Sequence, residues 1–473
     1  MSDTSDLNFD VVVVGGGLAG LACANRCAEQ GLKVALLERG AEQRYHCNSR
    51  YSMGFVNCAF EYILGDPAAL RHAIDSQTHN YADPELAHAF ASNGGAAVRW
   101  LETQGVRLIK GGWQGAQRVM LAPPVPNRMG LNWPGRGGDT MVFRLGAKLL
   151  ERGASLMRGV AARELMVENA RCTGVVATRG EETLRISARA VLLADGGFQA
   201  NLDLLKKFIS ARPERLLQRN AKTGKGDALL MAEAIGARLR GTERFYGHVQ
   251  SLDALTNPAL WPYPVVDHPM CAGITVNASG KRFANEGLGG VFMANAIAAQ
   301  DDPRGAVGVF DQRIWETAGK NGARPANSLL EKGRATLHRS DTLQGLAERA
   351  GLPAEALAAT VSAHNIAVES GKFDALDPPR SDNPANRAQA IMVAPFYAVP
   401  VCAGITYTMG GVAIDGQCRV QHRDGGVIEA LYAAGSTTGG HEGGPVAGYT
   451  GGLGKAATFG WHSGNCIGAA LRH

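Results

Sequence analysis

Charge is scarce in this 473-residue chain. Asp, Glu, Lys and Arg make up only 19% of it, and 48 basic against 43 acidic residues leave a formal net charge of +5. That balance, with 45% hydrophobic residues, excludes a disordered chain and a coiled coil. The small positive excess suits anionic ligands, but no basic run is present to argue for nucleic acid. Long apolar runs are also missing. None reaches the roughly 18 residues of a membrane helix, and the longest candidate, 391–405, is interrupted by Pro395 and Pro400. The opening MSDTSDLNFD lacks a basic stretch followed by an apolar one, so no signal peptide is expected and the expected location is the cytoplasm. The cysteines (Cys23, Cys27, Cys47, Cys58, Cys172, Cys271, Cys402, Cys418 and Cys466) are odd in number and contain no Cys-x-x-Cys pair. Neither a disulfide framework nor a zinc knuckle is indicated, and no metal is expected.

Glycine is the residue in excess, with 61 copies and no collagen-like period. Tight turns and close backbone approaches, as nucleotide sites require, account for such a composition. The length suggests about three domains, or two large ones. The apolar run Phe9–Val14 reads as a buried parallel strand. GGGLAG follows, then an Ala-rich helical pattern to about Gln30, a capping Gly31, and a second strand over 34–37 ending at Glu38. This is a βαβ unit with Gly15, Gly17 and Gly20 at its first turn. Gly15 makes the turn, Gly17 lets backbone approach a pyrophosphate, and Gly20 lets helix pack on strand. The helix N-terminus offers N–H groups to phosphate, and Glu38 stands where an acid binds ribose hydroxyls.

Further along, 66–105 reads as helical, and 155–160, 163–168, 172–178 and 183–187 as a small sheet. Residues 190–194 read as another buried strand that ends at Asp195-Gly196-Gly197. Residues 223–237 read as a turn entering a helix, with Asp227 at the dipole's positive end. Between about 245 and 390 these signals stop. That stretch carries strands at 273–277 and 306–310 and helices near 292–300, 341–350 and 354–370. Short strands (397–401, 412–414, 430–434), a Gly-rich tail over 435–454 and a last helix follow. The expected division is a first domain over 1–244, resumed at 391–473, with 245–390 inserted.

Seven segments in order carry a resemblance: DVVVVGGGLAGLACA at 10–24, NSRYSMG at 48–54, AVLLADGGFQAN at 190–201, TGKGDALLMAEAIGA at 223–237, GITVNASGKRFANE at 273–286, TYTMGGVAID at 406–415 and LYAAGSTTGG at 431–440. The chain resembles the flavoprotein superfamily of fumarate reductase and succinate dehydrogenase flavoprotein subunits, 3-ketosteroid Δ1-dehydrogenases and tricarballylate dehydrogenase. Asn48-Ser49-Arg50 and the GITYT stretch at 404–408 look most like the last of these. The resemblance implies an α/β fold: a Rossmann-type FAD-binding domain with an inserted α+β capping domain, and an active site between them. It implies that Asn48 and Ser49 pass the flavin ring and that Asp195 and Gly196 lie near the adenosine half. Asp227 would bind the ribityl or phosphate region. Gly435 matches a family turn in which Ser436 replaces the usual Glu. The helix starting near Gly454 would aim N–H groups at the flavin's N1/O2 edge.

No second GxGxxG and no helical CxxxxC pair occurs. Electrons are therefore expected to pass between a substrate C–H bond and flavin N5, then to a quinone, a carrier protein or oxygen. By resemblance, His248 binds substrate, and Arg282 lies on the proton side of the site or pairs with Glu286. Tyr407 stands where fumarate reductases carry a His, and Tyr449 is similar to a ketosteroid-dehydrogenase Tyr. His441 and Glu442 are candidates to reach substrate. Residues 287–303 contain no Lys or Arg, so the proton-delivering Arg of fumarate reductases is missing. The expectation is a non-covalent FAD enzyme that desaturates a small carboxylate or ketone. A ketosteroid-like desaturase and a non-catalytic flavin-binding sensor or assembly protein are the alternatives.

Overall fold

The valine run at 11–14 is wholly buried because it lies inside a sheet covered on both faces. The structure, a computed structural model, describes residues 5–111, 118–126, 133–260, 265–322 and 325–472. Strand Ser5–Val14 lies between Val34–Glu38 and Glu182–Leu193, parallel to both. Ser155–Arg158 extends the sheet beyond Val34–Glu38, and Val427–Ala433 joins Glu182–Leu193 on the other side. Eight strands form this sheet. The helix Leu18–Glu29, which follows the glycine turn, packs against the last helix, Gly452–Arg472.

The small sheet expected at 155–187 is part of a larger one. Its members belong to the eight-stranded sheet, and the runs at 183–187 and 190–194 are one strand, Glu182–Leu193. The pattern misleads because the strand changes environment along its length. Its first half alternates between exposed and buried in an antiparallel meander, and its last four residues enter the parallel core and are buried throughout. The span 66–105 is two helices, Pro67–Thr78 and Pro84–Thr103, each opened by an Asp cap followed by Pro.

The middle region is built on a second sheet, of six strands, with its own hydrophobic core. Its central strand is Phe396–Thr408, which pairs with Ala306–Asp311, His338–Ser340, Phe245–Ser251 and Leu217–Gln218. The sheet thus takes strands from both segments that flank 245–390. The chain returns to the eight-stranded sheet only after Thr408, through Arg419–Gln421 and Val427–Ala433. No helix among the described residues is long and apolar enough to cross a membrane.

Candidate active site

A cavity of about 1100 Å³ runs from the glycine turn to the capping sheet. At the glycine turn the three glycines divide their work. Gly15 has φ +105°, and a Cβ there would lie 2.5 Å from Ala194 O; a Cβ on Gly20 would lie 2.0 Å from Gly15 O. These two serve the turn and the helix–strand contact. A Cβ on Gly17 would meet only Ser49 Oγ, at 3.6 Å, and Gly17 lines the cavity. Leu18 N donates to Ser49 Oγ (3.0 Å). The Glu38 carboxylate accepts from Gly16 N (2.9 Å) and Gly40 N (2.7 Å), and burial raises its pKa. Each of its oxygens keeps a lone pair for a further donor.

Asp195 accepts from Ala228 N (2.9 Å) and from the Thr437 hydroxyl (3.1 Å), while burial pushes its pKa up to about 7. Gly196, Gly435 and Ser436 line the same stretch. Asp227 opens its helix as expected and pairs with Arg39 at 2.9 Å. Asn48 joins three segments: Nδ2 donates to Thr406 O and Oδ1 accepts from Ala221 N, both at 2.9 Å.

The far end is formed where Phe245–Ser251 runs antiparallel to Phe396–Thr408. Tyr246 faces Tyr407 and Gly247 faces Ile405, so Thr406 is an extra residue in the ladder. Such a bulge re-aims side chains, and both Thr406 and Tyr407 line the cavity. The Tyr246 hydroxyl lies 2.9 Å from His248 Nε2, and His248 Nδ1 lies 2.5 Å from Asp267 Oδ2. The Tyr246 ring stacks on Tyr449 at 4.1 Å and packs against Tyr407 at 5.3 Å. Tyr407 donates to Glu442 Oε2 (3.2 Å), and the other Glu442 oxygen pairs with Lys455 Nζ. Burial, then the Glu442 charge, hold the Tyr407 phenol well above its usual range; burial does the same for Tyr449, whose oxygen accepts from Gly452 N (3.1 Å). Buried His441 bonds Thr450 Oγ1 (2.8 Å), and desolvation keeps it neutral.

The family model for the FAD binding domain matches residues 10–451. The chain belongs to this family. Among curated relatives it is 28% identical to the fumarate reductase (cytochrome) of Shewanella frigidimarina, over 92% of this chain and 72% of that protein. It is 31% identical to the 4-oxocyclohexanecarboxylate 2-dehydrogenase of Sinomonas cyclohexanicum, over 70% of this chain and 60% of that one. In fold it is similar to the 3-ketosteroid Δ1-dehydrogenase of Sterolibacterium denitrificans, with a TM-score of 0.74 at 22% identity over 98% of this chain and all of that one. The chain is a FAD-dependent oxidoreductase of the fumarate reductase/ketosteroid dehydrogenase type, acting on CH–CH bonds. The site geometry fits that cofactor: a long cavity, an open glycine face at Gly17, and a held carboxylate at Glu38.

Three of the expected site residues, Gly20, Gly454 and Arg282, are not among the residues that line the cavity. Gly454 does not line the cavity. The last helix begins earlier, at Gly452, and Gly454 is pressed on Asn57, where a Cβ would lie 2.1 Å from the backbone oxygen. Gly452 and Leu453 face the cavity in its place. Arg282 is not at the site either. Its Nε and Nη2 grip Glu286, its Nη1 donates to Pro378 O, and Arg380 holds Glu286 from the other side. The pair is wholly buried and ties loops of the capping region together.

Sequence reading missed Tyr246, Asp267, Arg219 and Lys455. Tyr246 had a signal: it stands two residues before His248, on the same face of a strand. Lys455 is a charge between glycine and alanines in an otherwise apolar helix turn. Asp267 reaches His248 from 19 residues away, which no local pattern shows.

Proposed function

We propose that the chain removes hydrogen across a carbon–carbon single bond next to a carboxylate or carbonyl, in a tricarballylate-dehydrogenase-like oxidation in the cytoplasm. The observation that supports this is the Asp267–His248–Tyr246 relay opening on the cavity. Gly15, Gly17, Glu38 and Asp227 would hold FAD without a covalent link, and the bound cofactor would supply hydride acceptance and an electron route to a quinone, a carrier protein or oxygen. The chain's own residues handle the proton. The Tyr246 oxygen takes it from the carbon beside the carbonyl while the phenol's own proton moves to His248 Nε2. Asp267, on Nδ1, stabilises the imidazolium that results. Tyr407 and Tyr449 are poor bases as placed, because burial opposes their ionisation and Tyr407 already donates to Glu442. Their rings wall the site and keep water from the reacting carbons.

The three packed tyrosines favour a second reading, desaturation of a flat cyclic ketone. One similar protein is named for a substrate that joins a ring ketone to a carboxylate, which unites the two readings. Anaerobic mixing with candidate acids and ring ketones, following loss of the flavin's visible absorbance, tests the reaction. Tyr246→Phe should bind substrate nearly normally and bleach roughly 10²-fold more slowly or worse. An unchanged rate removes Tyr246 as the base, and failure of every acid and ketone to bleach the flavin removes the reaction.

A further inference from the structure

One turn beside the cavity is made of residues that its shape does not favour. Cys58 and Glu61 form an antiparallel bridge and exchange both backbone bonds: Glu61 N donates to Cys58 O (2.8 Å), and Cys58 N to Glu61 O (3.3 Å). The two residues between them, Ala59 and Phe60, have φ of +48° and +67°. Positive φ at both central positions defines the type I′ turn, which favours Asn-Gly, Asp-Gly or Gly-Gly. The chain is rich in glycine, and among the described residues most positive-φ positions are glycine, yet Ala-Phe stands here. Phe60 is the one Phe, Tyr or Trp among the described residues with positive φ. A bulky side chain in that region is a strained outlier; such strain persists only where the surroundings over-determine it, and it clusters at functional sites.

The surroundings do hold this turn. Ala59 N donates to Thr450 O (2.7 Å), beside Tyr449 in the chain, and Phe60 N donates to Asn57 Oδ1 (3.0 Å). The Asn57 backbone oxygen is pressed on the start of the last helix: a Cβ on Gly451 would lie 2.3 Å from it, and one on Gly454 2.1 Å. The turn is thus fixed both to the segment that carries Tyr449 and to that helix start. What it holds out is the Phe60 ring, which lines the cavity 5.0 Å from the Tyr449 ring and tilted by 50° to it. Phe60 continues the row of ring contacts from Tyr407 through Tyr246 to Tyr449. Tyr407 and Tyr449 are buried, whereas Phe60 is 38% exposed, so it is the solvent-side end of the row. A glycine at this position would relieve the backbone and leave that end open.

We propose that Phe60 is a specificity-determining residue that closes the outer end of the substrate region and limits it to compact molecules, open-chain or single-ring. This rests on the proposed desaturation and deepens it by setting the size of the substrate rather than its functional group. A molecule longer than the tyrosine row meets the Phe60 ring, and the fixed turn cannot swing that ring aside. The local rule for the turn is broken at a site residue, where the side chain does something that glycine cannot.

The test uses FAD-loaded protein and two probes that share a ring ketone and a carboxylate. One is 4-oxocyclohexanecarboxylate; the other, 4-(4-oxocyclohexyl)benzoate, inserts an aromatic ring between the same two groups. Each is titrated anaerobically, reading the concentration that gives half of the change in the flavin's visible band, whether the band shifts or bleaches. The unmodified protein should respond to the short probe at a concentration about 10-fold or more below that for the long one. Phe60→Gly should gain about 10-fold or more for the long probe and keep the short one within about 3-fold. Phe60→Ala serves if Phe60→Gly loses its flavin. Ala59→Gly relaxes the turn and keeps the ring; it should unfold at a higher urea concentration and leave both probes within about 2-fold. No gain for the long probe when the ring is removed, or an equal gain from Ala59→Gly, overturns the proposal. The desaturase reading fails separately, when the size preference appears as band shifts alone and no acid or ketone bleaches the flavin.

Discussion

Glu442 and Lys455 meet as an ion pair in which both side chains are wholly buried, with Lys455 Nζ 5.1 Å from the centre of the Tyr407 ring. Glu442 also accepts from the Tyr407 hydroxyl and from Thr450 N (3.3 Å), so its lone pairs are well used. Removing one partner strands a charge in a dry interior, while removing both does not. Glu442→Gln should destabilise the protein by about 3–5 kcal/mol in urea unfolding. Glu442→Gln combined with Lys455→Met should regain a large part of that loss. Equal stabilities for the single and double variants would show that the pair is solvated.

Asp267→Asn probes the proton relay without disturbing the tyrosine rings. The amide still fills the space but no longer offers a carboxylate to a charged His248. Flavin reduction by substrate should fall roughly 10²-fold, with the dissociation constant of a non-oxidisable acid changed little. Tyr407→Phe and Tyr449→Phe should each cost far less. If Tyr449→Phe proves the slowest of the set, the proton goes to Tyr449 and the relay is only structural.

Gly17 and Gly20 belong to one motif but have different roles, and their substitutions should behave differently. Gly17→Val places a side chain in open cavity, so the protein should fold and purify without flavin. Gly20→Val drives a side chain into Gly15 O and should cost folding itself. Far-ultraviolet circular dichroism together with the absorbance ratio of flavin to protein separates the two outcomes. From the unmodified protein, acid precipitation should release the flavin into the supernatant. Burial pushes the Cys47 thiol up to about 11, so it is not an activated nucleophile.

The dinucleotide end was legible because its chemistry is local. Gly15, Gly17, Gly20 and Glu38 sit within one βαβ unit, where spacing fixes geometry. The substrate end was legible only in part. His248 and Tyr407 were named, but what they do depends on register between strands about 150 residues apart and on a bulge at Thr406 that no periodicity reveals. Arg282 misled for a related reason. A conspicuous Arg near an Asn-Glu pair can serve a site or a salt bridge, and burial against Glu286 and Arg380, set by the fold of the capping region, decides for the bridge.

The capping region carries a pH-sensitive group remote from the proposed chemistry. His364 is fully buried on helix Ala354–Ser370, with Nε2 2.9 Å from Gln389 O and Nδ1 without a partner among the described residues. Desolvation lowers its pKa to about 4, from about 6.5 in an unfolded chain. The folded protein therefore holds His364 neutral through a range in which the unfolded chain binds a proton. The sign follows: the stability from this site is fully present above pH 6.5 or so and is lost progressively as pH falls toward 4. A shift of that size corresponds to roughly 3 kcal/mol over the window. His364→Gln, which keeps a donor for Gln389 O and cannot titrate, should flatten the decline in urea-unfolding stability between about pH 6.5 and 4 relative to the unmodified protein. Parallel pH profiles for the two proteins would show that the imidazole is protonated as readily in the fold as out of it.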